Sequence, residues 1–395
     1  PKPSARLRSS TLSSNLRATE LFSRLLTEGT IMDLADVRNR IDEVDHKLLD
    51  LFCQRMELAA EVAESKIGSG KAVFDPARER EKLLDVARRS PERLQPQAVA
   101  LFSFLMSMNK AEQQRIIARG TGESRSARAH ASLKPVSEPF PATASVACQG
   151  VEGAYSQIAA CKLFRVPGIT FFNTFEGVFR AVHEGLCDFG VLPIENSTAG
   201  SVNAVYDLLA EYSFSIVRSL RLKIDHNLLA RPGVQRENIR EVYSHEQAIA
   251  QCSDYLEQLG VTAHELKNTA QAAEFVSRSS RTDIAALSSR DCADLYGLDV
   301  LESNVQDSDN NSTRFIVVSA EPQIFPGATR TSLMLTMKHE PGSLYRVLER
   351  FYALDINLVK LESRPIPGRD FEFMFYFDIE SPAGTEPLDT LLDSL

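Results

Sequence analysis

Apolar residues recur at Leu34, Val37, Ile41, Val44, Leu48, Leu51, Leu58 and Val62. This spacing of three and four predicts one long amphipathic helix over 33–67. At 1.5 Å of rise per residue such a helix is about 50 Å long. Asp75 followed by Pro76 reads as an N-cap acid and a first-turn proline, so a second, shorter helix is expected to start there. A third pattern, Pro96 to Arg119, turns Ala98, Leu101, Phe102, Leu105 and Ile116 inward. Residues 120–143 are rich in Ser, Arg, Ala and Pro, show no period, and predict a flexible linker.

Beyond the linker, short apolar runs at 145–148, 169–172, 187–193, 241–243 and 283–287 alternate with helical patterns to about Val318. That alternation predicts an open α/β sheet with ligands at the carboxyl ends of its strands. The last segment reads strand (332–338), helix (343–353), strand (356–362), strand (371–379) and helix (from 386). This βαββα order lacks a closing strand, which is expected to lie past Leu395. Residues 1–31 are Ser- and Arg-rich with no acid before Glu20. They superficially resemble a transit peptide, but a disordered extension is the simpler reading, with Met32 a candidate start. The division expected is 1–31 extension, 32–119 helical domain, 120–143 linker, 144–320 α/β domain and 330–395 small α+β domain.

Composition narrows the function. A chain of 395 residues suggests roughly two to four domains. A net charge of -9 argues against general nucleic-acid binding, which needs clustered excess Lys and Arg. Six scattered cysteines without a C-x-x-C pair suggest neither a zinc site nor a disulfide framework, and read as reduced thiols of a cytoplasmic protein. No run approaches the ~18 apolar residues of a membrane span. Small-molecule chemistry is the expectation.

The first candidate site is an anomaly of pattern. Arg55 and Lys66 fall on the apolar stripe of the first helix, and Asn109 and Gln113 on that of the third. A buried cation is costly unless it snorkels, pairs with an acid or faces an anionic ligand, and the spacing leaves these open. Arg38 lies 17 residues before Arg55, about 25 Å along the axis. An antiparallel helix from a second copy would bring it back, so a homodimer with shared sites is expected. The run from Leu34 to Leu49, then Arg55 to Lys66, then Asp75-Pro-Ala-Arg78-Glu79, resembles the all-helical chorismate mutases. The resemblance implies Arg38 of the partner copy, Arg55 and Arg78 for substrate carboxylates, Lys66 and Gln113 at the ether oxygen, and Asp75 and Glu79 near the ring hydroxyl. Asn109 stands where that family often has Ser. The rearrangement needs no acid, base, nucleophile or cofactor, only a compact conformer and donors where negative charge develops. A plain N-cap remains an equal reading of Asp75.

Gly150-Val-Glu-Gly153-Ala-Tyr155-Ser156 follows a predicted strand and opens a helix, a turn that presents N–H groups to an anion. It lacks the spacing of a dinucleotide site. The cluster from Pro193 to Val202, with Ser244-His245-Glu246-Gln247, Thr269-Ala-Gln and Thr313-Arg314-Phe315, resembles prephenate dehydratase over 144–320. Val151, Ala154 and Glu246 depart from the usual residues. The resemblance implies a two-lobed fold like periplasmic binding proteins, with Thr313 at the leaving hydroxyl and Glu195, Asn196, Ser197, Ser244, Gln247, Gln251, Thr269 and Arg314 around the substrate. Glu195 is the better acid by chemistry and ranks second to Thr313, since at a strand end it could equally cap the following helix; His245 reads more simply as a surface residue than as an acid.

Gly342-Ser343-Leu344 opens a helix and Glu362-Ser363-Arg364-Pro365 ends a strand. Both resemble the ACT regulatory domain, of ferredoxin-like βαββαβ fold, in which they would surround phenylalanine; a domain used only to dimerise is the plainer alternative. Taken together the resemblances imply conversion of chorismate to prephenate and then to phenylpyruvate under phenylalanine feedback, by a homodimer or higher oligomer with small-molecule partners, no nucleic acid, no membrane and no cofactor. A non-catalytic two-lobed sensor with an ACT module is the alternative, and the cations and amides of the helical domain argue against it.

Overall fold

The computed structural model describes residues 34–67, 75–121, 124–337, 339–366 and 372–395. The expected extension 1–31 lies outside them. The chain divides into two compact units, residues 1–117 and 118–395. No described helix is long and apolar enough to cross a membrane.

The first unit is helical: α1 (Leu34–Ile67), α2 (Pro76–Arg89) and α3 (Gln95–Thr121). Asp75 caps α2, its carboxylate accepting from the N–H groups of Ala77 and Arg78, both at 3.1 Å. The face of α1 that is buried differs from the predicted stripe. Ala59 and Ala63 are buried, whereas Leu48, Leu51, Leu58 and Val62 are exposed, Leu51 to 60%. Leu101 on α3 is likewise exposed rather than inward. The stripe is real, but one chain does not cover it.

The predicted linker is partly ordered. Helix α4 (Arg125–Ser132) and a two-residue strand β1 (Lys134–Pro135) occupy it. The reason lies far along the chain: the buried carboxylate of Asp393 accepts from Ser124 Oγ (2.8 Å), Ser126 N (2.8 Å) and Ser126 Oγ (2.9 Å). A long-range acid thus caps a segment with no period of its own.

The remainder is a two-lobed α/β body carrying a third, smaller sheet. In chain order it contains β2 (Thr143–Gln149), α5 (Tyr155–Leu163), β3 (Val166–Phe172), α6 (Phe175–His183), β4 (Phe189–Asn196), β5 (Gly200–Ser201), α7 (Asn203–Tyr212) and β6 (Ser215–Lys223). The second lobe follows with β7 (Asn227–Ala230), β8 (Glu241–Ser244), α8 (Glu246–Ala250), α9 (Ser253–Leu259), β9 (Thr262–Glu265), α10 (Thr269–Arg278), β10 (Ile284–Ser288), α11 (Arg290–Tyr296) and β11 (Asp299–Glu302). Strand β12 (Ser312–Ser319) then returns to the first sheet, and β13 (Gln323–Ile324) pairs with β1. Sheet one runs β3-β2-β4-β12-β6 with β5 on β4, and sheet two runs β11-β7-β10-β8-β9. The chain therefore crosses between lobes twice, at 224–226 and 303–311. The strands β6, β7, β9, β11 and β12 were not among the predicted runs.

One irregularity positions the site. In the pairing of β4 with β12, Thr313 faces Asn196, Arg314 faces Glu195, but Phe315 faces Pro193, so Ile194 is an extra residue. A bulge here accommodates Pro193, which has no N–H for the ladder, and re-aims the side chains beside it. Pro193 and Asn196, three apart, both line the cleft, while Ile194 and Glu195 turn to the reverse face.

The C-terminal sheet, β14 (Thr331–Thr336), β16 (Phe373–Ile379) and β15 (Leu358–Pro365), is antiparallel in the order β14-β16-β15, with α12 (Ser343–Ala353) and α13 (Glu386–Ser394). One face packs Leu333, Phe377 and Ile379 on Val347, Phe351, Leu388 and Leu391 of the helices. The other face, carrying Lys360, Glu362, Arg364, Tyr376 and Asp378, rests on the first lobe. Removing the Asp393 carboxylate (Asp393→Ala) leaves three donors near α4 without their acceptor. It should cost about 2 kcal/mol, read as a lower urea midpoint and faster proteolysis within residues 124–136.

Candidate functional site

In the helical unit, Arg55, Ala59, Ala63 and Lys66 follow one another at four, four and three residues, hence along one face of α1. The two cations are half-buried, and the residues between them on this face are the buried alanines Ala59 and Ala63. Arg55 Nη1 donates to the Leu105 carbonyl (2.9 Å), and burial lowers the guanidinium pKa from its usual value. Lys66 Nζ donates to Gln113 Oε1 at 3.4 Å. The Oδ1 of Asn109 is buried without a hydrogen-bond partner. Of the other predicted residues, Glu79 pairs with Lys110 at 2.8 Å, Arg78 pairs with Glu81 in solvent, and Arg38 is exposed on the far half of α1. The structure thus brings Arg55, Lys66, Asn109 and Gln113 together and leaves Arg38 and Arg78 apart. The ion-pair reading of Arg55 is not what is seen: among the described residues its guanidinium bonds a carbonyl rather than an acid.

In the two-lobed body a cleft of about 450 Å³ opens between the sheets. Asn196, Gln247, Gln251, Thr269, Thr313, His226, His245 and Lys267 line it, with the apolar Phe175, Val202 and Phe315. Its centre is the Asn196 amide. Asn196 Oδ1 accepts from the backbone N–H groups of Thr198 (3.0 Å) and Ala199 (2.9 Å), which fixes that atom as oxygen. The opposite atom is therefore the NH2. It donates to Thr313 Oγ1 and to Asn311 Oδ1, both at 2.9 Å. Asn311 Nδ2 donates to Gln251 Oε1 (2.8 Å), Gln251 Nε2 to Thr198 Oγ1 (2.9 Å), and Thr198 Oγ1 back to Asn196 Oδ1 (2.7 Å). The four side chains close a ring in which every donor runs the same way. Thr313, only 8% exposed, receives a hydrogen on one side, so its own hydroxyl hydrogen is free to point into the cleft.

The remaining predicted residues are placed elsewhere. Ser244 is fully buried and donates to the Leu287 carbonyl (2.7 Å), tying β8 to β10. Ser197 Oγ donates to the Asn310 carbonyl (2.6 Å) and accepts from Ser312 N (2.9 Å), which secures the second crossing. Glu195 and Arg314 do not reach the cleft, because the pleat turns them to the back of the strands that carry Asn196 and Thr313. Glu195 pairs with Lys360 at 2.9 Å, and Arg314 pairs with Asp378. His245 Nδ1 accepts from Gln247 N (3.2 Å), the cap of a short helix. His226 and Asn311, which the sequence motifs did not single out, hold the ring from the two crossings. In the C-terminal sheet Gly342, Ser343 and Leu344 border a cavity of about 330 Å³ with Phe373 and Phe375. Ser363 sits across from Phe375, while Glu362 bonds Ser201 and Arg364 bonds Asp207 at 2.8 and 3.0 Å on the side that faces the first lobe.

Comparison with known proteins agrees with this division. Residues 146–323 match the prephenate dehydratase family and residues 37–114 the type II chorismate mutase family. A bifunctional chorismate mutase/prephenate dehydratase of Enterobacter agglomerans is 32% identical over 92% of this chain and 92% of its own length. The chain belongs to the bifunctional chorismate mutase/prephenate dehydratases. Its dehydratase region is also 38% identical to an arogenate dehydratase/prephenate dehydratase of Arabidopsis thaliana, over 66% of this chain and 74% of that protein. Among solved structures, the prephenate dehydratase of Arthrobacter aurescens in complex with L-Phe superposes with a TM-score of 0.59 at 26% identity, covering 64% of this chain and 85% of that one.

The reverse-face ion pair gives a direct test of the dehydratase geometry. Arg314→Met strands a buried Asp378 carboxylate and should cost about 3–5 kcal/mol. Replacing both partners (Arg314→Met with Asp378→Asn) should recover much of that in urea unfolding, whereas a substrate-binding arginine would raise KM with stability unchanged.

Proposed function

We propose that the chain rearranges chorismate to prephenate in its helical unit and converts prephenate to phenylpyruvate in the interlobe cleft, with L-phenylalanine acting through the C-terminal sheet. The observation that carries the first activity is the pair of cations on α1 separated only by buried alanines and faced by amides. Arg55 holds a carboxylate, and Lys66 with Gln113 donates to the ether oxygen as its negative charge grows. No proton is transferred, so orientation and fixed charge suffice.

The uncovered stripe of α1, from Leu34 through Ile41, Val44, Leu48, Leu51, Leu58 and Val62, supports a homodimer. An antiparallel second copy of α1 covers it and carries Arg38 across the ~25 Å that separates it from Arg55 within one helix. Mixing Arg38→Ala with Arg55→Ala chains, each inactive as a mutase, should therefore regain mutase activity in isolated heterodimers; absence of any gain removes the shared site. Dehydratase turnover should be little changed in both.

In the cleft, decarboxylation leaves an electron pair that makes the ring aromatic and expels the hydroxyl, which must gain a proton to depart as water. Thr313 Oγ–H is the positioned donor for it, held by Asn196. Among the described residues the cleft's lining contains the cation Lys267 and no carboxylate. Such a site suits the dianion prephenate better than its amino analogue arogenate, whose ammonium would enter without a counter-charge. Purified enzyme should turn over prephenate with a kcat/KM at least about tenfold above arogenate, a difference of ~1.4 kcal/mol; parity would reverse this assignment.

For regulation, the cavity beside Gly342, Ser343 and Leu344 has the size and the apolar wall for a phenylalanine side chain, with a helix N-terminus for its carboxylate. The L-Phe complex of the Arthrobacter relative supports this reading. A signal from that sheet reaches the chemistry through Lys360–Glu195 and Arg314–Asp378, which grip the backs of the two strands that bear Asn196 and Thr313.

A further inference from the structure

The amide ring has one more donor, and it comes from a residue that neither resemblance nor charge pattern marks. His226 lies at the first crossing between lobes and is only 3% exposed. Its Nε2 stands 3.0 Å from Gln251 Oε1. That oxygen already accepts from Asn311 Nδ2, and its identity is fixed in turn by Asn311, by Asn196 and by the N–H groups of Thr198 and Ala199. An acceptor faces Nε2, so Nε2 bears the hydrogen. The other ring nitrogen, Nδ1, is buried with no partner. A proton there would have no acceptor, and burial accordingly lowers the pKa of this histidine from its usual value. The ring's place is set on several sides: the backbone N–H of His226 donates to Gln306 Oε1 (2.9 Å), and Tyr155 meets the imidazole edge-on at 6.4 Å between centroids.

The ring also has a position in the fold that gives this histidine leverage. Asn196 and Thr198 belong to the first lobe, Gln251 to the second, and His226 and Asn311 to the two crossings. With two donors on Gln251 Oε1 and Gln251 Nε2 committed to Thr198, the Gln251 amide cannot turn over without losing hydrogen bonds at both ends. Without the His226 donor, one of those constraints goes, and the ring that backs Asn196, whose sense the N–H groups of Thr198 and Ala199 set, is held less firmly at Gln251.

We propose that His226, as the neutral Nε2–H tautomer, is a positioning residue of the dehydratase site: it anchors Gln251 and so holds in place the Gln251–Asn311–Asn196 chain, whose sense leaves Thr313 a donor toward the substrate. It acts through Gln251, with no part in the proton transfer. This rests on the role given to Thr313 above, and the experiment separates the two. In the full chain, His226→Leu should lower dehydratase kcat at least about tenfold with KM changed by less than about threefold. His226→Gln, whose side-chain NH2 can reach the same oxygen, should restore most of kcat, and mutase activity in both variants reports intact protein. Equal loss in both variants, or loss in neither, overturns the proposal. A Thr313→Val enzyme that keeps its kcat would instead refute the role of Thr313 and leave the histidine's tautomer standing. Should the leucine variant not fold, ¹⁵N NMR of histidine-labelled wild-type chain decides: a neutral Nε2–H resonance for His226, assigned by its loss in His226→Gln, supports the proposal, and an Nδ1–H tautomer or an imidazolium contradicts it.

Discussion

Two backbone N–H groups pointing at one oxygen determine the chemistry of the dehydratase cleft. They make the Oδ1 of Asn196 an acceptor, and every other polarity follows from that choice: the amide donates to Thr313 and Asn311, Asn311 to Gln251, Gln251 to Thr198. An amide with free ends could flip, present its oxygen to Thr313 and draw the threonine hydrogen away from the cleft. A closed ring anchored to the main chain prevents this, at the place where the proposed reading needs a threonine, a weak acid in water, to serve as a donor.

The second constraint is the pleat. Successive residues of a strand face opposite sides, so Asn196 and Thr313 on the cleft side require Glu195 and Arg314 on the other. The bulge at Ile194 adds Pro193 to the cleft wall without disturbing that separation. The same four residues therefore divide between two tasks. The front pair lines the cleft, and the back pair docks the C-terminal sheet through Lys360 and Asp378. On the proposed reading, chemistry and regulation are neighbours in sequence because they are opposite faces of two strands.

Much of this was legible in the sequence, and the misses have physical reasons. The long helix, its two misplaced cations, the amides of α3 and the motif loops fall where spacing put them. The 3-4 pattern located the stripe of α1 but not which part of it one chain buries, since Ala59 and Ala63 carry little hydrophobic signal. Helix α4 was read as linker because its capping acid, Asp393, lies some 270 positions away. The motifs around Glu195 and Arg314 suggested substrate contacts because a linear motif does not reveal which face a bulged strand presents. His226 was invisible for a simpler reason: a single histidine after a strand has no pattern, and only the ring of amides gives it meaning.

The central claim, that hydrogen-bond direction at Asn196 makes Thr313 a donor, is tested most directly by Asn196→Asp, which keeps the shape of the side chain and replaces the donating NH2 with an accepting oxygen. The threonine hydrogen would then turn to the new carboxylate instead of the substrate. Steady-state dehydratase kinetics should show kcat reduced about 100-fold, ~2.7 kcal/mol, with mutase activity unchanged in the same protein. A kcat within about threefold of the parent would contradict the account.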